Sequence, residues 1–356
     1  MKPKIMKIHI VILLFLTFVL SLLVVACGTS AENAKTEDTS TVKTDTAKTE
    51  QDSFPTQPVK IIATSSSGGG MDTSVRQLQK YWEKYLGESI IVECKPGGAT
   101  AIGTNIVLGS EPDAYTILAT GVPHYQFSMI LQDVDYTIDD FVPIGPFVTE
   151  AAVIRVKKDA PWDNLTDLIE YAKSQPKGKL KASVSELSSP NFISLKLIEE
   201  AAGVEFNIVP FGSGNNSRIA LVGGQVDLTN AGVFNSLPIA DSTKVIAVHA
   251  NNNNWPGITD NAKTVNEQLG SDLPQLQTSY GLFVPAKAKE QYPQRYEKLV
   301  ETLQQALTDP EYLSMLKEAG EEGKSMVQDP TEYDKDMHDL YNELLKYKDM
   351  FGESSK

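Results

Sequence analysis

The chain reads as an α/β protein of two lobes with a ligand cleft between them. Three observations predict this. A short β-branched run passes through a turn of small residues into a helical pattern, and this happens more than once. The rhythm then restarts after residue 150. The turns fall at strand C-terminal ends, the edge where open α/β sheets bind ligands.

Residues 59–86 set the plan. Val59-Lys60-Ile61-Ile62-Ala63 is an apolar strand pattern, followed by the turn Thr64-Ser65-Ser66-Ser67-Gly68-Gly69-Gly70. Val75, Leu78, Trp82 and Tyr85/Leu86 then recur at three- and four-residue steps until Gly87 stops the helix. Taken alone, three serines and three glycines have the composition of a flexible linker. Here regular elements flank them on both sides, so they read as a strand-to-helix turn, which is usually a few residues long. No Gly-Lys-Ser/Thr follows and no Gly-x-Gly-x-x-Gly is present, which excludes a Walker A loop and a dinucleotide fingerprint. What remains suits a small carboxylate or phosphate, because the first N–H groups of a helix lack partners and its dipole is positive there.

The same unit recurs. Residues 89–94 form a strand pattern, Lys95-Pro96-Gly97-Gly98-Ala99-Thr100 a turn, and Ile102, Ile106 and Val107 mark a short helix. Residues 114–120 are a third strand closed by Gly121, and three strands separated by helices imply a parallel sheet with covered faces. Residues 141–148 and 151–156 are extended runs interrupted at Gly145-Pro146. In the second half, a helix marked by Leu165, Leu168, Ile169 and Ala172 precedes a strand at 180–184. Ser188-Ser189-Pro190-Asn191 opens the next helix, with Ser189 as N-cap and Pro190 at the first helical position. A strand at 205–210 leads into Phe211-Gly212-Ser213-Gly214, and strands at 225–229 and 244–248 complete the sheet. One more strand at 280–284 precedes a helical tail with starts at Asp309-Pro310-Glu311 and Asp329-Pro330-Thr331-Glu332. Those carboxylates read as caps and solvated faces.

The N-terminal end has a different character. Lys2, Lys4 and Lys7 precede an apolar run from 8 to 26, and Cys27 follows Val24-Val25-Ala26. This describes a secretory leader, with an uncleaved membrane anchor as the alternative. It resembles a bacterial lipobox, in which residues 1–26 are removed and Cys27 is lipidated. Residues 27–53 carry no aromatic side chain and are rich in Thr, Lys, Glu and Asp, so they are expected to be a disordered tether reaching roughly 30 Å. If Cys27 carries lipid, Cys94 has no disulfide partner and reads as a packed thiol.

Charge narrows the partners. The chain carries −14 at pH 7, and losing residues 1–26 removes three lysines and no acid, giving −17. That argues against nucleic acid. The four arginines (Arg76, Arg155, Arg218, Arg295) all lie outside the glycine turns, so an anion is expected to rest mainly on backbone N–H groups and hydroxyls. No residues have metal-ligand spacing and no Gly-x-Ser-x-Gly elbow is present, so the expectation is neither a metal site nor a cofactor, and no catalytic residue. His124 lies close to the third turn; His249 and His338 read as surface or structural. Paired lobes with small-residue turns suggest a guest clamped by hinge closure.

Several stretches taken together resemble the substrate-binding component of tripartite tricarboxylate transporters, the Bug-type extracytoplasmic solute receptors. They are Phe54-Pro55-Thr56-Gln57-Pro58-Val59-Lys60-Ile61-Ile62, Gly68-Gly69-Gly70-Met71-Asp72, Pro96-Gly97-Gly98-Ala99, Pro112-Asp113-Ala114-Tyr115-Thr116-Ile117-Leu118, Val209-Pro210-Phe211-Gly212-Ser213-Gly214 and Leu221-Val222-Gly223-Gly224-Gln225-Val226-Asp227. The resemblance implies a type II periplasmic-binding-protein fold with a discontinuous first lobe, 54–150 and 280–356, and a second lobe, 151–279. It implies a ligand seat made by Ser66, Ser67, Gly68, Gly69 and Asp72, by Gly98 and Ala99, by Thr120 and Gly121, and by Ser188, Ser189, Phe211, Gly212 and Gly214. Asp72 reads equally as a helix cap. The chain departs from the family where Thr64 to Ser67 are all hydroxylated, at Glu93-Cys94-Lys95, and at Val122-Pro123-His124. The implied function is a lipid-anchored, monomeric extracytoplasmic receptor that delivers a small carboxylate to membrane permease subunits. A receptor reporting to a sensor, or a surface enzyme acting on organic acids, are the alternatives.

Overall fold

A computed structural model describes residues 53–187, 189–274 and 276–348. The expectations for the leader, Cys27, and the tether as far as residue 52 lie outside the described residues, as does Ser188.

Among the described residues, ten strands make two five-stranded sheets. They are β1 (Val59–Ala63), β2 (Ile90–Cys94), β3 (Thr116–Val122), β4 (Phe141–Glu150), β5 (Ala152–Lys157), β6 (Lys181–Val184), β7 (Asn207–Pro210), β8 (Leu228–Gly232), β9 (Thr243–His249) and β10 (Thr278–Pro285). Their orders are β2-β1-β3-β10-β4 and β7-β6-β8-β5-β9. In each sheet the first three strands are parallel, as the strand–turn–helix rhythm predicts. The fourth strand runs antiparallel to its neighbours, which the rhythm alone does not announce. In both cases that strand, β10 or β5, has just arrived from the other sheet. It starts at the C-terminal edge of the parallel strands and runs back from there, so Tyr280 pairs with Gly121 and Ala152 with Gly232.

The helices are α1 (Gly70–Leu86), α2 (Ala101–Leu108), α3 (His124–Leu131), α4 (Leu165–Ser174), α5 (Pro190–Ala202), α6 (Gly214–Val222), α7 (Val265–Leu269), α8 (Ala286–Gln291), α9 (Pro293–Leu307), α10 (Pro310–Glu318) and α11 (Pro330–Leu344). Val75, Leu78, Trp82 and Leu86 of α1 pack with Leu299, Leu303 and Ala306 of α9 on one face of the first sheet. Val107 of α2, Tyr125 of α3 and Met337 of α11 cover the other face. The second sheet buries Leu168, Ile193, Leu197 and Ile198. Phe127 and Ile130 of α3 and Leu344 of α11 join that second core, so both helices bridge the two hydrophobic clusters.

The tail follows its capping signals. Asp309 accepts hydrogen bonds from the N–H groups of Glu311 and Tyr312, from Lys84 Nζ at 2.8 Å and from Tyr85 OH at 2.8 Å, tying α10 to α1. Its bond to Lys84, aided by Tyr85 and the Glu311 N–H, outweighs burial and holds its carboxyl down at about 2. A depressed folded pKa adds stability that is complete above the unfolded value, near pH 4, and lost as pH falls through about 2. Asp309→Ala is expected to cost about 2 kcal/mol at pH 7. Urea denaturation at a series of pH values should show the gap from wild type narrowing below about pH 4.

Candidate functional site

The C-terminal edges of the parallel strands of both sheets converge on one cavity of about 180 Å³. That is below the roughly 300–1,000 Å³ of drug-sized pockets, so the space suits a small metabolite.

From the first sheet, the turn after β1 is held from within. Asp72 Oδ2 accepts from the Gly68 N–H at 2.8 Å, and Oδ1 accepts from Arg76 Nε at 2.8 Å and from the Cys94 thiol at 3.2 Å. Burial pushes this carboxyl up, but the Gly68 N–H, Cys94 and Arg76 together pull it below its ordinary value. Asp72 therefore stays ionised and fixes the turn from behind. Gly70 and Met71, at the open N-terminal end of α1, line the cavity. Glycine is required at 70 because a Cβ there would lie 2.1 Å from Asn235 Oδ1 of the second sheet's side.

The second turn stores strain. Gly97 and Gly98 have positive φ, and so do Ala99 (φ 45) and Thr100 (φ 89). A left-handed non-glycine residue costs roughly 1–2 kcal/mol, and such outliers concentrate at ligand sites. Ala99→Gly is expected to raise stability by about 0.5–1 kcal/mol, the relieved strain less glycine's extra chain entropy. Equilibrium urea unfolding would read this; no gain would show the conformation to be unstrained.

At the third turn, Gly121 and His124 line the cavity. His124 Nδ1 has no hydrogen-bond partner among the described residues, and burial pushes the imidazole down to about 4, so it is neutral at pH 7. From the second sheet come Ser185 and Glu186 after β6, Asn191 of α5, Gly212 to Asn215, Ser217 and Arg218 around the start of α6, and Asn230 to Gly232 of β8. Asn191 and Asn230 each donate a side-chain N–H to the other's backbone carbonyl at 2.9 Å.

Where the strands cross between sheets, Glu150 is 3% exposed. Its Oε1 accepts from Tyr280 OH at 3.0 Å and from Asn235 Nδ2. Burial raises this carboxyl, against the opposing pull of Lys324, Tyr280, Asn235 and Arg218. Arg218 faces the same cavity. Burial lowers its pKa, partly offset by Glu150 and Tyr280, and among the described residues the guanidinium makes no hydrogen bond or ion pair.

Of the residues expected at the site, Ser66, Gly69, Ala99, Gly121, Gly212 and Gly214 line this cavity. Ser67, Gly68, Asp72, Gly98, Thr120, Ser189 and Phe211 are not among its lining residues. Thr120 is buried and accepts from Thr64 Oγ1 at 3.1 Å; Ser189 caps α5 through the Phe192 N–H. Phe211 packs on Ala220, Leu221 and Val226. Sequence reasoning missed Glu150, Asn191, Arg218, Asn230, Asn235 and Tyr280. The expectation is a seat made mainly of backbone N–H groups and hydroxyls; Arg218 lies outside the glycine turn, yet it follows Gly214 by four residues, one helical turn, and so rises on the face that the turn leaves open.

One serine–histidine pair lies away from the cavity. Ser194 Oγ and His249 Nδ1 share a hydrogen bond at 2.5 Å, but both residues are buried and neither lines the cavity. Among the described residues no cluster of His, Cys, Asp and Glu could hold a metal ion.

Residues 74–346 match the family model described as tripartite tricarboxylate transporter family receptor. A UPF0065 protein from Bordetella pertussis is 28% identical over 191 residues, covering 52% of this chain and 57% of that protein. This chain therefore matches little more than half the length of that relative. The solved structure of the periplasmic binding protein BugD superposes with a TM-score of 0.72 at 24% identity, covering 85% of this chain and 99% of BugD. The R. palustris protein Rpa4515, solved with adipate, gives 0.71 at 22%, covering 85% and 98%.

Proposed function

The chain belongs to the tripartite tricarboxylate transporter receptor family, with the two-lobed fold of a type II periplasmic binding protein, and from that premise we propose that it captures a small organic acid between its lobes and presents it to membrane permease subunits. The observation that carries this reading is one small cavity where helix N-terminal donors from the first sheet face the uncommitted guanidinium of Arg218 from the second. A carboxylate matches both kinds of donor. The adipate held by the R. palustris protein supports the same class of ligand. The lobes of this reading are 54–150 with 280–356, and 151–279.

In this reading Cys27 carries the lipid and residues 27–53 tether the receptor to the outer face of the membrane. A Cys27→Ser protein should move from the membrane fraction to the soluble one. For ligand capture, protein unfolded, dialysed and refolded to strip retained molecules would be screened against mono-, di- and tricarboxylates by thermal shift. A ligand at one hundred times its Kd stabilises by about 2.7 kcal/mol. Absence of any shift across the panel would defeat the reading.

A further inference from the structure

Building on that small-acid reading, we propose that the guest carries a hydrogen-bond donor beside its carboxylate, an ammonium group above all, and that Glu150 is the residue that selects for it. The lining holds acceptors left without donors. Glu150 Oε2 and Asn230 Oδ1 are both buried, and neither has a hydrogen-bond partner among the described residues. They lie on one side of β8. A Cβ at Gly232 would stand 2.2 Å from Glu150 Oε2, and residues 230 and 232, two apart on a strand, share a face. Glycine at 232 is what lets the carboxylate reach that face.

Lys324 and Arg218 attract Glu150 through space, but neither donates a hydrogen bond to Oε2. Its other oxygen is taken by Tyr280 and Asn235, and it forms no ion pair with Arg218 although both line the cavity. A buried carboxylate oxygen without a donor is costly, and so is a buried amide oxygen. An ammonium supplies three N–H donors and a compensating charge, and its own molecule's carboxylate is left for Arg218 and the N-terminal end of α1. Formal charge points the same way. The lining holds Glu150 and Glu186 beside Arg218, and each amino group takes one unit off the negative charge that a guest brings there, so aspartate enters as a monoanion where succinate enters as a dianion.

The test uses matched pairs differing only in the amino group, succinate with aspartate and butyrate with 2-aminobutyrate, with malate as a hydroxyl-bearing probe. Titration calorimetry on the refolded, ligand-stripped protein is expected to show the amino member binding about 10- to 100-fold more tightly than its donor-free partner. In Glu150→Gln the preference should shrink to roughly threefold or less, because a neutral amide acceptor neither compensates the charge nor accepts as strongly. Equal affinities within each wild-type pair, or a preference unchanged in Glu150→Gln, would overturn the inference while leaving the small-acid reading intact. If no acid of either kind binds, both fall. Should Glu150→Gln fail to fold, the wild-type pairs still decide.

Discussion

Arg218→Ala should weaken binding of the acid by about 100-fold or more, some 3 kcal/mol. This is the scale for removing one member of a buried, hydrogen-bonded charge pair. Arg218→Lys should restore only part of the loss, since an ammonium cannot grip a carboxylate with two parallel bonds. The unliganded variant should be about as stable as wild type, because the half-buried guanidinium makes no hydrogen bond or ion pair among the described residues, and relief of its desolvation offsets the lost through-space attraction to Glu150. Calorimetric titration beside a melting curve separates the two effects. An unchanged Kd would remove Arg218 from the seat and return the burden to the main-chain donors.

The largest loss of stability is expected at Trp82. Its ring is fully buried between α1 and α9, and its Nε1 donates to Thr302 Oγ1 at 3.0 Å. Trp82→Ala should cost about 3–5 kcal/mol through lost transfer energy and the void left behind. Trp82→Phe should cost about 1–3 kcal/mol, since it keeps most of the volume but leaves Thr302 without its donor. Urea unfolding monitored by far-ultraviolet circular dichroism would rank them. Near-equal costs would mean that the hydrogen bond, not the packing, dominates.

The parts of this molecule that sequence disclosed are those written in short-range pattern. The stripe of α1, the cap of Ser189, the proline-led starts of α10 and α11 and the three glycine turns each depend on neighbours a few residues apart. Helix α3 went unread for a physical reason. Tyr125 faces one core and Phe127 and Ile130 the other, and even Gln126 and Ser128 are buried, so the helix has no solvent-facing side to produce an amphipathic period. Ile102 and Ile106 misled in the opposite sense, being apolar yet 51% and 41% exposed on α2. At the site, the glycine turns were visible but their partners were not. Glu150, Arg218, Asn235 and Tyr280 meet only because two sheets exchange strands, and no local spacing encodes that. The glycines at 70 and 232 held a trace of it, since each is small to admit a side chain from a distant stretch.

The buttress behind the first turn has a chemical corollary. A free thiol in an oxidising compartment ordinarily invites mixed disulfides and covalent cross-linking between copies. Cys94 donates its S–H hydrogen bond to the Asp72 carboxylate, and burial, reinforced by that carboxylate, pushes the thiol up to about 11. At pH 7 the nucleophilic thiolate is then on the order of one molecule in ten thousand, against about one in thirty for an ordinary cysteine. The group that shapes the loop thus also makes the sulfur a poor reagent for exchange.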